Sequence, residues 1–234
     1  MKRALWAAKP AAASTATTSS RWVSPTSGRV SAVVFDLGNV LIEWNRDLLY
    51  RKIIPDAERR AWFLEHVANM AWNVALDRGR SFDEAVAELS VEHPDWADEI
   101  AAFRDRWVET MGDVDEDAVQ LLAELLAADV PTYALTNWSA ETFPHAEARF
   151  EWLTWFDGII VSGQEGVAKP EAAIFELLST RYHLDLACTL FTDDMATNIE
   201  GARAAGLQAE LWTSAADFRS HLVRYGVLNS NRQQ

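Results

Sequence analysis

The stretch Ser31-Ala32-Val33-Val34-Phe35-Asp36-Leu37-Gly38-Asn39-Val40-Leu41 opens on an apolar run that ends in one carboxylate and then turns at a glycine. A run without polar alternation fits a strand covered on both faces, as in a parallel sheet. Its tip aims Asp36 into the crevice beyond the strand end, which makes Asp36 the candidate nucleophile. The plainer alternative has Asp36 capping the turn at Gly38.

Four further runs have the same form: Pro131–Thr136, Gly158–Ser162, Thr189–Asp193 and Gln208–Trp212, the first three ending in a polar residue. Between them lie helical patterns at Ala118–Ala128, Pro170–Tyr182 and Asn198–Ala205, the last stopped by Gly206. Strands alternating with helices predict an α/β fold with a parallel, Rossmann-like sheet. From about Asp47 to Met111 the pattern is helical throughout, with no convincing strand. It reads as an all-helical insertion in which Trp62, Trp72, Trp96 and Trp107 are core or interface residues. The expected division is a core over 31–46 and 112–228 and a helical cap over 47–111.

Residues 1–30 carry five basic residues and no acid among Ala, Ser and Thr, and read as a disordered tail. That make-up suits an organellar transit peptide or an over-long start; otherwise a cytoplasmic location is expected. With 234 residues, 49% of them apolar, and a formal net charge of −14, the chain has the make-up of a globular protein and lacks the basic excess of a nucleic-acid or anionic-membrane binder. No run reaches the roughly 20 apolar residues of a membrane helix. The single cysteine, Cys188, excludes an internal disulfide and reads as a small buried apolar residue.

In a parallel α/β sheet, ligands bind beyond the carboxyl ends of the strands. The polar residues that end the strands here are Asp36, Thr136 with Asn137, and Asp193 with Asp194, joined by Lys169 before Pro170. Asp36 and Asp193 can share a hard cation such as Mg²⁺, without which adjacent buried carboxylates resist joint ionisation. Thr136 and Asn137 can hold an oxyanion, and Lys169 can offset a phosphoryl charge. Taken singly, Thr136-Asn137 could be turn residues, Lys169 a loop lysine, and Asp193-Asp194 a cluster at a helix start.

In combination these segments resemble the haloacid dehalogenase-like hydrolase superfamily, of the helical-cap type and close to its sugar-phosphate phosphatases. Phe35-Asp36-Leu37-Gly38-Asn39-Val40 looks like motif I, Leu135-Thr136-Asn137 like motif II, Lys169-Pro170 like motif III, and Thr192-Asp193-Asp194 through Asn198 to Ala202 like motif IV. The resemblance implies a Rossmann-like core with a mobile helical lid. It implies Asp36 as nucleophile, Thr136, Asn137 and Lys169 as further catalytic residues, and Mg²⁺ held by Asp36, the Gly38 carbonyl, Asp193 and Asp194, with Asn198 bracing the site. Asn39, Trp44, Trp138 and Arg78 are the substrate-binding candidates, Trp44 and Trp138 being better placed to line the pocket, since the plainer reading of Arg78 and Arg80 is exposed arginines paired with surface acids.

One departure stands out: phosphatases of this superfamily usually carry a second acid two residues after the nucleophile, and this chain has Gly38 there. The expected function is a Mg²⁺-dependent phosphatase of a small phosphorylated metabolite. Two alternatives stay open: a 2-haloacid dehalogenase working without metal, and a non-catalytic binding protein on the same fold.

Overall fold

The computed structural model describes residues 29–230; the tail read over 1–30 lies, but for its last two positions, outside them. Strands β1 (Ala32–Phe35), β4 (Thr132–Thr136), β5 (Gly158–Val161), β6 (Thr189–Asp193) and β7 (Gln208–Leu211) form one parallel sheet in the order β5-β4-β1-β6-β7. This is the α/β, Rossmann-like fold expected from the sequence. All four residues of β1 are buried, as its uninterrupted apolar composition requires of a central strand.

Side chains alternate across the sheet. Val33 and Phe35 join a core with Leu121, Leu122 and Leu125 of α6 (Glu116–Ala127) and Phe218 and Leu222 of α11 (Ala215–Arg224). Val34 points the other way, into a core with Phe175 and Leu178 of α9 (Ala172–Tyr182) and Ile199 and Ala202 of α10 (Ala196–Ala204). The chain adds β4 and β5 on one side of β1, then β6 and β7 on the other. It therefore reverses at β1, where such sheets open a crevice.

Between β1 and α6 the chain forms five further helices: α1 (Asp47–Ile53), α2 (Ala57–His66), α3 (Met70–Asp77), α4 (Phe82–Glu92) and α5 (Ala97–Asp105). Asp56 and Asn69 cap α2 and α3 by accepting from the N–H groups of Arg59 and Trp72. Tyr50, Phe63, Trp72, Phe82 and Phe103 pack ring on ring inside this layer. Trp62 departs from expectation: it is 47% exposed, stacked on His66 and Trp96 at the layer's outer surface.

A second departure is a two-stranded antiparallel ribbon, β2 (Ile42–Trp44) with β3 (Met111–Val114), where the helices leave and rejoin the sheet-forming chain. Met111 thus lies in a strand, not in an all-helical stretch. Arg149, at the end of α7 (Phe143–Arg149), ties this ribbon down through the carbonyls of Met111 and Gly112.

The helical layer meets the sheet through α3 and the short helix α8 (Ser162–Glu165) that follows β5. The Ser162 hydroxyl donates to the carbonyl of Asp77, 2.5 Å away. Gly79 has φ +91°, and a Cβ placed there would lie 2.7 Å from the Gly163 carbonyl oxygen. Only glycine allows this backbone approach. Among the described residues, no helix is long and apolar enough to cross a membrane.

Candidate active site

Strand register alone sets most of the site. Phe35 is level with Ala134 on β4 and with Thr192 on β6, so the next residues outward are Asp36, Leu135 and Asp193. The Asp36 N–H extends the ladder by donating to the Thr192 carbonyl at 2.9 Å. Asp36 and Asp193 therefore stand on adjacent strands, which lie about 4.8 Å apart. Lys169 enters the gap between them. Its Nζ donates to Asp36 Oδ1 (2.8 Å), to Asp193 Oδ2 (2.7 Å) and to the Leu135 carbonyl (2.8 Å), which uses all three ammonium protons.

Each member of this group is braced. The Leu37 N–H donates to Asp36 Oδ1 at 2.7 Å. Asp193 accepts from the Met195 N–H at 2.8 Å and from Asn198 Nδ2 at 3.0 and 3.1 Å. Asn137 clamps the backbone of Lys169 twice, donating through Nδ2 to its carbonyl (3.0 Å) and accepting its N–H on Oδ1 (2.9 Å). The Asn137 side chain is thus committed to holding the lysine. Helix α10 reaches the Lys169-Pro170 turn because Gly201 has no side chain; a Cβ there would sit 2.5 Å from the Pro170 carbonyl oxygen.

The charges do not balance. Burial pushes the Asp36 carboxyl up to about 7, with Asp193 and Asp194 adding to the rise and Lys169 opposing it. Burial would lower Lys169, yet Asp36 and Asp193 together hold it above its ordinary value. Asp194 is raised by burial and by Asp193, against the charge of Lys169 and a hydrogen bond from Asn39. Asp36, Asp193 and Asp194 each offer a carboxylate oxygen, all within 4.8 Å of one another. An all-oxygen set with excess negative charge matches what a hard divalent cation requires.

A family profile described as haloacid dehalogenase-like hydrolase matches residues 30–206, which contain every residue just named. The chain is a haloacid dehalogenase-like hydrolase. It is 32% identical to a sesquiterpene phosphatase from Aspergillus oryzae, over 75% of this chain and 86% of that one. Among solved structures it is similar to a HAD family enzyme from Bacteroides thetaiotaomicron in a magnesium complex, with 20% identity, 83% and 98% of the two chains covered, and a TM-score of 0.64. It is also similar to the L-2-haloacid dehalogenase from Xanthobacter autotrophicus with chloropropionic acid covalently bound, with 19% identity, 85% and 84% covered, and a TM-score of 0.57. At these identities the two structures speak for the fold.

The hydrolase places the other sequence candidates unevenly. Thr136 is buried at the end of β4, beside the clamp. Gly38 sits in the turn after Asp36, bridged to Ile42, and a Cβ there would meet nothing within 4 Å. Asn39 takes φ +55° in the same turn and accepts the Trp44 N–H on its side chain, leaving Trp44 half-buried. Trp138 is buried between Trp107 and Phe143. Arg78 points to the surface acid Glu171, 2.5 Å away, so the exposed pairing is the one it adopts here. Neighbouring Asp77, half-buried, is the residue of that segment within electrostatic reach of the site. It feels the charges of Asp36 and Lys169, and sequence reading passed over it.

These raised carboxyls have a consequence for stability. An acid whose folded-state value exceeds its unfolded one stabilises most when protonated in both states, and that stability drains away as pH rises. For Asp36 the window runs from the ordinary 3.8 to about 7. Chemical denaturation of the metal-free protein should therefore give lower stability at pH 8 than at pH 5, and added Mg²⁺ should narrow the gap.

Proposed function

We propose that the chain is a Mg²⁺-dependent phosphatase of a small phosphorylated metabolite, acting through a phosphoryl group carried on Asp36. The observation that carries this reading is the acid pair Asp193-Asp194 opposite Asp36, a surplus of negative charge that Lys169 alone does not neutralise. A dehalogenase has no use for that surplus. Asp36, the Gly38 carbonyl, Asp193 and Asp194 would hold the metal, which would supply charge neutralisation at the transferred group.

The chain's own residues perform the remaining tasks. Leu37 N–H and Lys169 fix the orientation of the Asp36 carboxylate, so that its second oxygen is the one left to attack phosphorus. Thr136 and Lys169 border the place where the phosphoryl oxygens would lie, with Asn137 holding Lys169 in place. Helices α1–α5 are the cap over residues 47–111, closing the crevice against water and selecting the substrate. The 32% identity to a sesquiterpene phosphatase supports the phosphatase assignment and adds apolar prenyl-type phosphates to the sugar phosphates as substrates to test.

The test is phosphate release across such a panel with Mg²⁺ and with EDTA, run beside chloride release from 2-chloropropionate. Phosphate release that disappears in EDTA and returns with Mg²⁺ is expected. Metal binding should also raise stability, by about 2.7 kcal/mol at a Mg²⁺ concentration 100 times Kd. Chloride release in EDTA without phosphate release would overturn the assignment, and so would a complete lack of turnover.

A further inference from the structure

A phosphatase must protonate the oxygen that leaves with the alcohol, and general acid help of this kind contributes roughly 10²–10⁴ in rate. Gly38 supplies no such group, although the space beside it is open. Asp77, at the C-terminal end of α3, is tied to the loops beyond β4 and β5 by a continuous set of contacts. Its carbonyl accepts from Ser162 Oγ at 2.5 Å, and Ser162 Oγ in turn accepts the Trp138 N–H at 2.9 Å. Trp138 follows Asn137, the residue clamped to Lys169. The close approach of Gly79 to Gly163 pins the same segment from its other end.

The side chain is positioned as well as the backbone. Asn73, itself buried, donates through Nδ2 to Asp77 Oδ2 at 2.8 Å, which leaves Oδ1 for proton exchange. Three charged groups act on the carboxyl: Asp36 and Lys169 from the strand ends, and Arg46 from the start of α1.

We propose that Asp77 is the general acid and base of the phosphatase reaction, delivered by the helical layer in place of the absent acid at position 38. The proposal rests on the phosphatase reading above. In the first half-reaction an Asp36 oxygen bonds to phosphorus, the bond from phosphorus to the alcohol oxygen breaks, and the Asp77 proton passes to that oxygen. In the second, water attacks the phosphorus of the aspartyl phosphate and gives its proton to the Asp77 carboxylate. The bond from phosphorus to Asp36 breaks, and both residues return to their starting forms. Burial, with Asp36 adding and Arg46 and Lys169 opposing, pushes the Asp77 carboxyl up to about 8, so it carries the proton at neutral pH.

The test compares wild type with Asp77→Asn on an alkyl phosphate and on p-nitrophenyl phosphate, both with Mg²⁺, reading kcat/KM. This quantity reports steps up to the loss of the alcohol. The alkyl substrate should lose about 10²–10⁴-fold, and p-nitrophenyl phosphate, whose leaving group needs little protonation, less than about tenfold. A burst of p-nitrophenol should appear in the variant as aspartyl phosphate accumulates. Equal losses on both substrates, or none on the alkyl one, would overturn the role of Asp77 while leaving the phosphatase reading intact. A wild type that hydrolyses neither would overturn both. Should Asp77→Asn fail to fold, the wild type decides alone: its kcat/KM should depend weakly on leaving-group acidity, and a steep dependence would refute the proposal.

Discussion

Asp36→Asn should abolish phosphate release, by a factor on the order of 10⁴–10⁶, while the protein stays folded. Asparagine keeps an Oδ1 for the Leu37 N–H bond, so the local turn survives. It removes one of three crowded negative charges, so the metal-free variant should melt no lower than the wild type. Phosphate release and thermal melting, measured on the same preparation, separate these effects. Activity near the wild-type level would show that Asp36 is not the attacking group.

Lys169→Met should be the most destabilising single change at the site. The Lys169 side chain is fully buried and touches two carboxylates and a carbonyl, all of which lose the ammonium together. Breaking a buried ion pair costs about 3–5 kcal/mol. For a chain of this size that is a fall of roughly 6–20 °C in Tm. The fall should be larger in EDTA than in Mg²⁺, since a cation would take over part of the neutralisation. Activity should be lost in both conditions. An unchanged Tm would mean that the two aspartates do not depend on the lysine for their place in the fold.

The sheet was readable in the sequence because four of its five strands lie in largely apolar runs closed by a polar residue, Asp36, Thr136, Ser162 and Asp193, and because β1 must be central to be buried on both faces. The meeting of Asp36, Lys169 and Asp193 followed from the same logic, since parallel strands bring their ends to one edge. The β2–β3 ribbon escaped notice for the opposite reason. Its strands have three and four residues of mixed burial, too short for alternation to stand out from helix. Trp62 was misplaced because a tryptophan in a helix can cover its neighbours from outside as well as from within. Asp77 was overlooked in Asp77-Arg78-Gly79-Arg80 because a break between helices that could hold an anion draws the eye to its two arginines. Only the fold distinguishes the one turned inward from the pair turned out, Arg78 toward Glu171 and Arg80 toward Glu88.

Where Gly79 meets Gly163, main chain rests against main chain with no side chain between. The placement of this seam does not depend on which residues face the crevice elsewhere on α1–α5. Apart from Asp77 and Asn73, those positions can accordingly be randomised in the laboratory to admit bulkier or more polar molecules without disturbing how the two halves seat. A library built this way should change what is accepted while preserving the geometry of attack. The two glycines, with Asp77 and the Asn73 that holds it, are the positions it must leave alone.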